Sequence, residues 1–127
     1  MIRRILVVDD EERILEVCRD SLGRLDGVEV RTERQAEKVL GRLEAERFDL
    51  LISDIRMPGL DGISLLRQVR QVDESLPVIL LTGFPSVETA VEGMRLGAYD
   101  YLVKPFEPED LMAKAGRALE RRALGEE

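Results

Sequence analysis

Five polar residues stand where short apolar runs stop. Asp9 and Asp10 follow Ile5-Leu6-Val7-Val8, and Asp54 follows Leu50-Leu51-Ile52-Ser53. Thr82 follows Val78-Ile79-Leu80-Leu81, and Lys104 follows Tyr101-Leu102-Val103 and precedes Pro105. Three carboxylates, a hydroxyl and an amine are groups suited to handling phosphoryl oxygens. Aspartate can accept a phosphoryl group as an acyl phosphate. Such transfer needs alignment and charge stabilisation more than covalent help. Gathering acids has a cost, because two like charges about 4 Å apart repel by roughly 4 kcal/mol at an effective dielectric near 20. Lys104 offsets one charge. An oxygen-seeking divalent cation, Mg²⁺ or alternatively Mn²⁺, would offset two more. The sequence has no histidine and a single cysteine, so a soft-ligand metal site has little to build on.

The surrounding pattern says how these residues are positioned. Strand-length apolar runs alternate with segments of helical period. Strands are expected at 5–8, 28–30, 50–52, 78–81 and 101–103. Helices are expected at 12–24, 34–46, 62–72, 86–96 and 109–124. Gly23, Gly27 and Gly97 fall just past helix ends, Ser86 is placed to cap a helix, and Pro108 suits a first turn. Strict alternation implies an α/β domain, a flavodoxin-like (βα)5 doubly wound parallel sheet with helices on both faces. If the strand order is 2-1-3-4-5, ligands bind at the carboxyl ends of the strands where the order reverses. Asp9, Asp10 and Asp54 would then converge, with Thr82 and Lys104 closing the far side.

Asp54 stands alone at the end of the central strand and is the better nucleophile. The Asp9-Asp10 pair is better used on metal, and the backbone carbonyl of Arg56 could join it. Pro58-Gly59 with Gly62 reads as the turn that keeps the chain clear of an incoming phosphate. Blander roles compete: Asp10 as a helix cap, Thr82 as a turn residue, Lys104 as a solvated lysine, Tyr101 as a core or edge aromatic. Val87, Ala90, Val91 and Met94 recur at i, i+3, i+4 and i+7, which predicts a core-facing stripe and leaves the other face of that helix for output. Cys18 reads as a small buried hydrophobe.

At 127 residues the chain has the length of one domain, 1–122, with 123–127 as a frayed tail or the start of a linker. It is 44% hydrophobic and 35% charged with net charge -7, which speaks against nucleic-acid or anionic-membrane binding. No apolar run is long enough to span a bilayer and no signal segment opens the chain, so a cytoplasmic location is expected.

Four segments, "ILVVDDE", "DIRMPGLDG", "LLTG" and "DYLVKPF", occur in this order. Together they resemble the receiver domains of bacterial two-component response regulators, along nearly the whole chain. The run "TGFPSVETAVEGMRLGAYDYLVKPFEPEDL" looks most like receivers of sigma-54-dependent transcription activators. The resemblance implies that Asp54 accepts a phosphoryl group from a phosphohistidine on a sensor histidine kinase. It implies that Asp9 and Asp10 serve a Mg²⁺ site, Asp10 more directly, and that Thr82 and Lys104 bind phosphoryl oxygens. Tyr101 matches the switch aromatic that turns inward as the threonine moves, and Lys104-Pro105 is implied to be cis. Output, or a homodimer formed on phosphorylation, would use the fourth helix, fifth strand and fifth helix. Bulky Arg56 and Phe84, each two positions beyond Asp54 and Thr82, are expected to shield an acyl phosphate from water.

Three rivals remain at this stage. An aspartate-nucleophile phosphatase would be an enzyme, but it needs an acid two residues after its nucleophile, and Arg56 stands there. A flavodoxin-like cofactor binder needs a Ser/Thr/Gly-rich phosphate loop, where this chain has "DDEE". A receiver working as an interaction module without phosphorylation would have no use for the full acid, threonine and lysine set.

Overall fold

The computed structural model describes residues 2–57, 62–83 and 86–125, with backbone alone at 87, 89 and 125. Five parallel strands form one sheet: β1 (Arg3–Val8), β2 (Val28–Glu33), β3 (Leu50–Asp54), β4 (Val78–Thr82) and β5 (Asp100–Val103). Their order is β2-β1-β3-β4-β5, so the order reverses between β1 and β3. The register sets Val8 beside Ser53 and Asp54 beside Leu81. Five helices connect and follow the strands: α1 (Glu12–Leu22), α2 (Val39–Ala45), α3 (Gly62–Val72), α4 (Val87–Arg95) and α5 (Pro108–Gly125).

The strands sort their side chains by parity, as a pleated strand must. Ile5 and Val7 of β1, Leu50 and Ile52 of β3, and Ile79 and Leu81 of β4 pack with Leu15, Cys18 and Leu22 of α1 and Leu111, Ala115 and Ala118 of α5. Leu6, Val8, Leu51, Val78 and Leu80 face the other way, onto Val39 of α2 and Leu65, Leu66 and Val69 of α3. Buried on both faces, β3 and β4 tolerate no polar side chain until their carboxyl ends. There Ser53, Asp54 and Thr82 are buried polar residues. Cys18 is fully buried, and burial pushes its thiol up to about 12.

Several local expectations change. A 3-10 turn, Ala36–Lys38, precedes α2, so the predicted second helix is α-helical only from Val39. Gly97 and Gly27 take positive φ, but Gly23 stays in the right-handed region and ends α1 without a left-handed turn. Asp10 does not cap α1. Glu11 holds that position, and its side chain makes no capping bond. The last helix, expected to about 124, ends at Gly125; residues 126–127 lie outside the described residues.

The apolar stripe on α4 is not core. Val91 is 44% exposed and Met94 50% exposed, while the Val87 side chain lies outside the described residues. The helix instead buries Gly93, where an added Cβ would stand 2.7 Å from Leu80 Cδ1, and Leu96, just past its end, packs against the α2–α3 layer. A glycine lets α4 lie close on β4, and that close face rotates the larger apolar residues outward. Tyr101 at 41% and Val103 at 38% exposure extend the same apolar surface along the β5 edge.

Arg70 on α3 ties together the loops at the edge of the sheet away from the polar strand ends. It donates to the carbonyls of Asp73, Leu76, Leu96 and Gly97. Arg122 near the end of α5 pairs with Asp73 of the same loop at 3.1 Å. Removing a donor that serves several half-buried carbonyls costs far more than removing a solvated charge. Arg70→Ala is expected to lose about 2–4 kcal/mol in urea unfolding. Arg67→Ala, which breaks only an exposed pair with Glu92, should lose less than about 0.5 kcal/mol. Equal losses would show that the Arg70 carbonyl contacts carry little.

Gly62 opens α3 against the end of β3. Its N–H donates to Ile55 O at 2.6 Å. A Cβ there would meet Asp54 O at 2.5 Å and Ile55 Cα at 2.6 Å, both backbone atoms. Gly62→Ala is therefore expected to cost about 1–3 kcal/mol in the same assay. An unchanged midpoint would mean that α3 can start elsewhere without strain.

Candidate functional site

The carboxyl ends of β1 and β3 bring the acids together. Asp9, Asp10 and Asp54 each place a carboxylate oxygen within 4.8 Å of the others'. Asp9 is fully buried and Asp54 nearly so, while Asp10 is half-buried at the mouth. The segments hold them by backbone bonds. Asp9 Oδ1 accepts from the Glu11 N–H at 2.9 Å, and Asp54 Oδ1 accepts from the Arg56 N–H at 3.2 Å. Each carboxylate thus spends one oxygen on its own turn and turns the other inward.

Lys104 reaches those inward oxygens. Its Nζ lies 2.8 Å from Asp9 Oδ2, 3.3 Å from Asp54 Oδ2 and 3.3 Å from Glu11 Oε2. The Lys104 N–H donates to Thr82 O at 2.7 Å, which extends the β4–β5 ladder by one step. The Lys104-Pro105 peptide is cis. Thr82 is buried at the end of β4, one residue beyond the position paired with Asp54.

One ammonium does not balance this group. Burial raises the Asp9 carboxyl above its usual range, and although Lys104 and the Glu11 N–H pull it back, Asp54 pushes it up again. Burial also raises Asp54, against the pull of Lys104 and the Arg56 N–H. Burial works against the charge on Lys104 too, but Asp9, Asp54 and Glu11 outweigh it and raise the amine, so it stays protonated. The carboxylates remain short of positive charge. Asp9 Oδ2 is buried, and the ammonium of Lys104, 2.8 Å away, is shared with Asp54 and Glu11. An all-oxygen donor set of three carboxylates sharing one ammonium fits a hard divalent cation such as Mg²⁺.

Arg56 is exposed on the segment after β3. The Pro58-Gly59 turn and Phe84 lie outside the described residues, so the expected shield is described only at Arg56. Tyr101 stands on β5 opposite Leu80 of β4. With Thr82, Ser86, Ala90 and Met94 it lines a cavity of about 10 Å³, room for about one water and too little for a phenol ring.

Two contacts were not legible in the residue pattern. Glu11, the third acid of "DDEE", binds Lys104. Glu33, at a strand end that offers no obvious chemistry, organises the loop beside Asp10: its side chain accepts from the N–H groups of Arg34 and Gln35. The charge excess at 9–12 hinted at the first. Nothing in the local sequence marks the second.

Known proteins agree with this geometry. Residues 5–116 match the family profile of the response regulator receiver domain. The chain is 42% identical over 121 residues to the C4-dicarboxylate transport transcriptional regulatory protein DctD of Pseudomonas aeruginosa, covering 95% of this chain and 26% of that protein. It is 43% identical over 126 residues to the response regulator protein FleR of the same species, covering 99% and 26%. It is 41% identical over 124 residues to the response regulator MprA of Mycobacterium avium, covering 98% and 54%. The chain thus spans about a quarter of the length of the first two and about half of the third. Among solved structures, the CheY-like response regulator receiver domain protein of Methanospirillum hungatei superposes with a TM-score of 0.92 at 32% identity, covering 98% of this chain and 99% of that one. NtrX of Brucella abortus superposes with a TM-score of 0.90 at 38% identity, covering 99% and 28%. With its acids gathered where β1 and β3 diverge and its lysine beside them, the chain belongs to the receiver domains of two-component response regulators.

Proposed function

We propose that this receiver is a Mg²⁺-dependent phosphoryl acceptor at Asp54 that switches an output surface. What supports the reading is the meeting of Asp9, Asp10 and Asp54 within 4.8 Å beside the Lys104 ammonium. A carboxylate oxygen of Asp54 attacks the phosphorus of a phosphohistidine on a sensor histidine kinase. The O–P bond forms as the P–N bond breaks, and the electron pair leaves on the imidazole nitrogen. Lys104 pairs with a phosphoryl oxygen, exchanging carboxylate contacts for it, and the Thr82 hydroxyl donates to another. Asp9, Asp10 and Asp54, with the carbonyl of Arg56, would hold Mg²⁺ or Mn²⁺. That cation, when bound, neutralises the acids and the transferred charge. Water later cleaves the acyl phosphate and restores Asp54, with Arg56 and Phe84 slowing its approach. The protein turns over no external substrate.

The phosphoryl group biases two arrangements by its differential contacts. Thr82 moves toward the phosphoryl oxygens and Tyr101 turns into the space vacated, which the present small cavity does not yet offer. The surface that changes is the exposed apolar one along Val91, Met94, Tyr101 and Val103, with α5 beside it. Its chemistry fits a protein partner, an output domain or a second copy. We take the receiver domain as 1–122, with 123–127 as a frayed tail or the start of a linker. Likeness to receivers of sigma-54-dependent activators supports an output in transcription. Among the described residues, no helix is long and apolar enough to cross a membrane, and a cytoplasmic location suits a kinase-coupled switch.

Acetyl phosphate with Mg²⁺ is expected to add one phosphoryl group by intact mass, and Asp54→Ala is expected to add none. Labelling that persists in Asp54→Ala, or that proceeds fully in EDTA, would contradict the assignment.

A further inference from the structure

Arg34, on the loop after β2, has no part in the chemistry above, yet it grips the turn that carries the metal-site acids. Within that turn, Glu11 O accepts from the N–H groups of Ile14 and Leu15, but no bond internal to it involves Asp10 among the described residues. Glu11 occupies the α1 N-cap position without a side-chain cap, and Asp9 Oδ1 secures only the Glu11 N–H. From outside, Arg34 Nη2 donates to Asp10 O at 3.2 Å, and its Nε lies 4.0 Å from Glu12 Oε2.

The arginine is itself presented by an ordered loop. Glu33 Oε2 accepts from the N–H groups of Arg34 and Gln35, each at 3.0 Å. The other Glu33 oxygen lies 3.4 Å from Arg42 Nη1, which also donates to Thr32 O at 2.6 Å. The Asp9 N–H donates to Glu33 O at 3.1 Å, so the same residue is tied to both loops. On the opposite side Lys104 holds Glu11 and Asp9. The 9–12 turn is thus held between two cations from separate loops.

We infer that Arg34 is a positioning residue for the divalent-cation site, fixing the Asp10 peptide so that its carboxylate faces those of Asp9 and Asp54. The inference rests on the Mg²⁺ reading above. Arg34 touches the Asp10 carbonyl and leaves its carboxylate free, so its effect falls on orientation of the ligand set. Cation affinity should depend on it, and the chemistry at Asp54 should not. A partner that orients a metal ligand weakens binding when removed, here modestly because the contact is exposed.

The test is Mg²⁺ titration calorimetry on the full chain, paired with the initial rate of acetyl-phosphate labelling as a function of Mg²⁺. Arg34→Ala is expected to raise the Mg²⁺ Kd about three- to tenfold, with the labelling rate recovering toward wild type at saturating Mg²⁺. Arg34→Lys, which keeps the charge and a donor, is expected to fall between the two. An Arg34→Ala or Arg34→Gln protein that binds Mg²⁺ as wild type does would overturn the inference and leave the metal reading intact. So would a labelling defect that saturating Mg²⁺ does not relieve. A wild-type protein that binds no Mg²⁺ would overturn both.

Discussion

Like charges forced together at the reversal of strand order are the constraint on which this molecule is organised. The carboxyl ends of β1 and β3 sit side by side because β2 and β4 depart in opposite directions from them. Asp54 ends β3 and Asp9 directly follows β1, and the apolar residues just before them are core, so the two acids cannot retreat to solvent without unpacking the sheet. Their repulsion is stored by the fold. Lys104 relieves part of it, from a segment that the β4–β5 ladder holds in place through Thr82 O. In the proposed function, the remainder is what a divalent cation and a phosphoryl group would relieve. On that proposal, function would be the relief of a frustration that the hydrophobic layers enforce.

The same layering separates chemistry from response. At one end of the sheet are the acids. At the other, Arg70 and Arg122 lock the loops and the end of α5 by carbonyl and carboxylate contacts. Between them, α4 meets the sheet through Gly93 and leaves Val91 and Met94 exposed. That helix lies next to Thr82 and Tyr101 around a cavity of about 10 Å³, so the switch proposed for these two residues would need the helix to shift.

Much of this was legible in the sequence, for a physical reason. Strands buried on both faces read as unbroken apolar runs, so the polar residues that end them stand out. Asp54, Thr82 and Lys104 were found that way, and strict alternation with helices placed them at one end of a parallel sheet. The α4 stripe misled because helical period reveals an apolar face but not whether anything covers it. Gly93 carried the missing information: a helix that must lie close to a strand turns its smallest residue inward. Contacts made by Arg34, Glu33 and Arg70 had no local signal, because an arginine that serves carbonyls of distant loops looks like any solvated arginine until the loops are brought together.

Thermal unfolding against Mg²⁺ concentration, matched in ionic strength with NaCl, tests the central claim most directly. A ligand bound to the folded site at about 100 times its Kd adds roughly 2.7 kcal/mol of stability. Tm is expected to climb with Mg²⁺ well beyond the NaCl control. Asp10→Asn, with one repelling charge removed, is expected to start higher and respond less. Equal Tm values in Mg²⁺ and NaCl, or an Asp10→Asn protein less stable than wild type without metal, would contradict that claim.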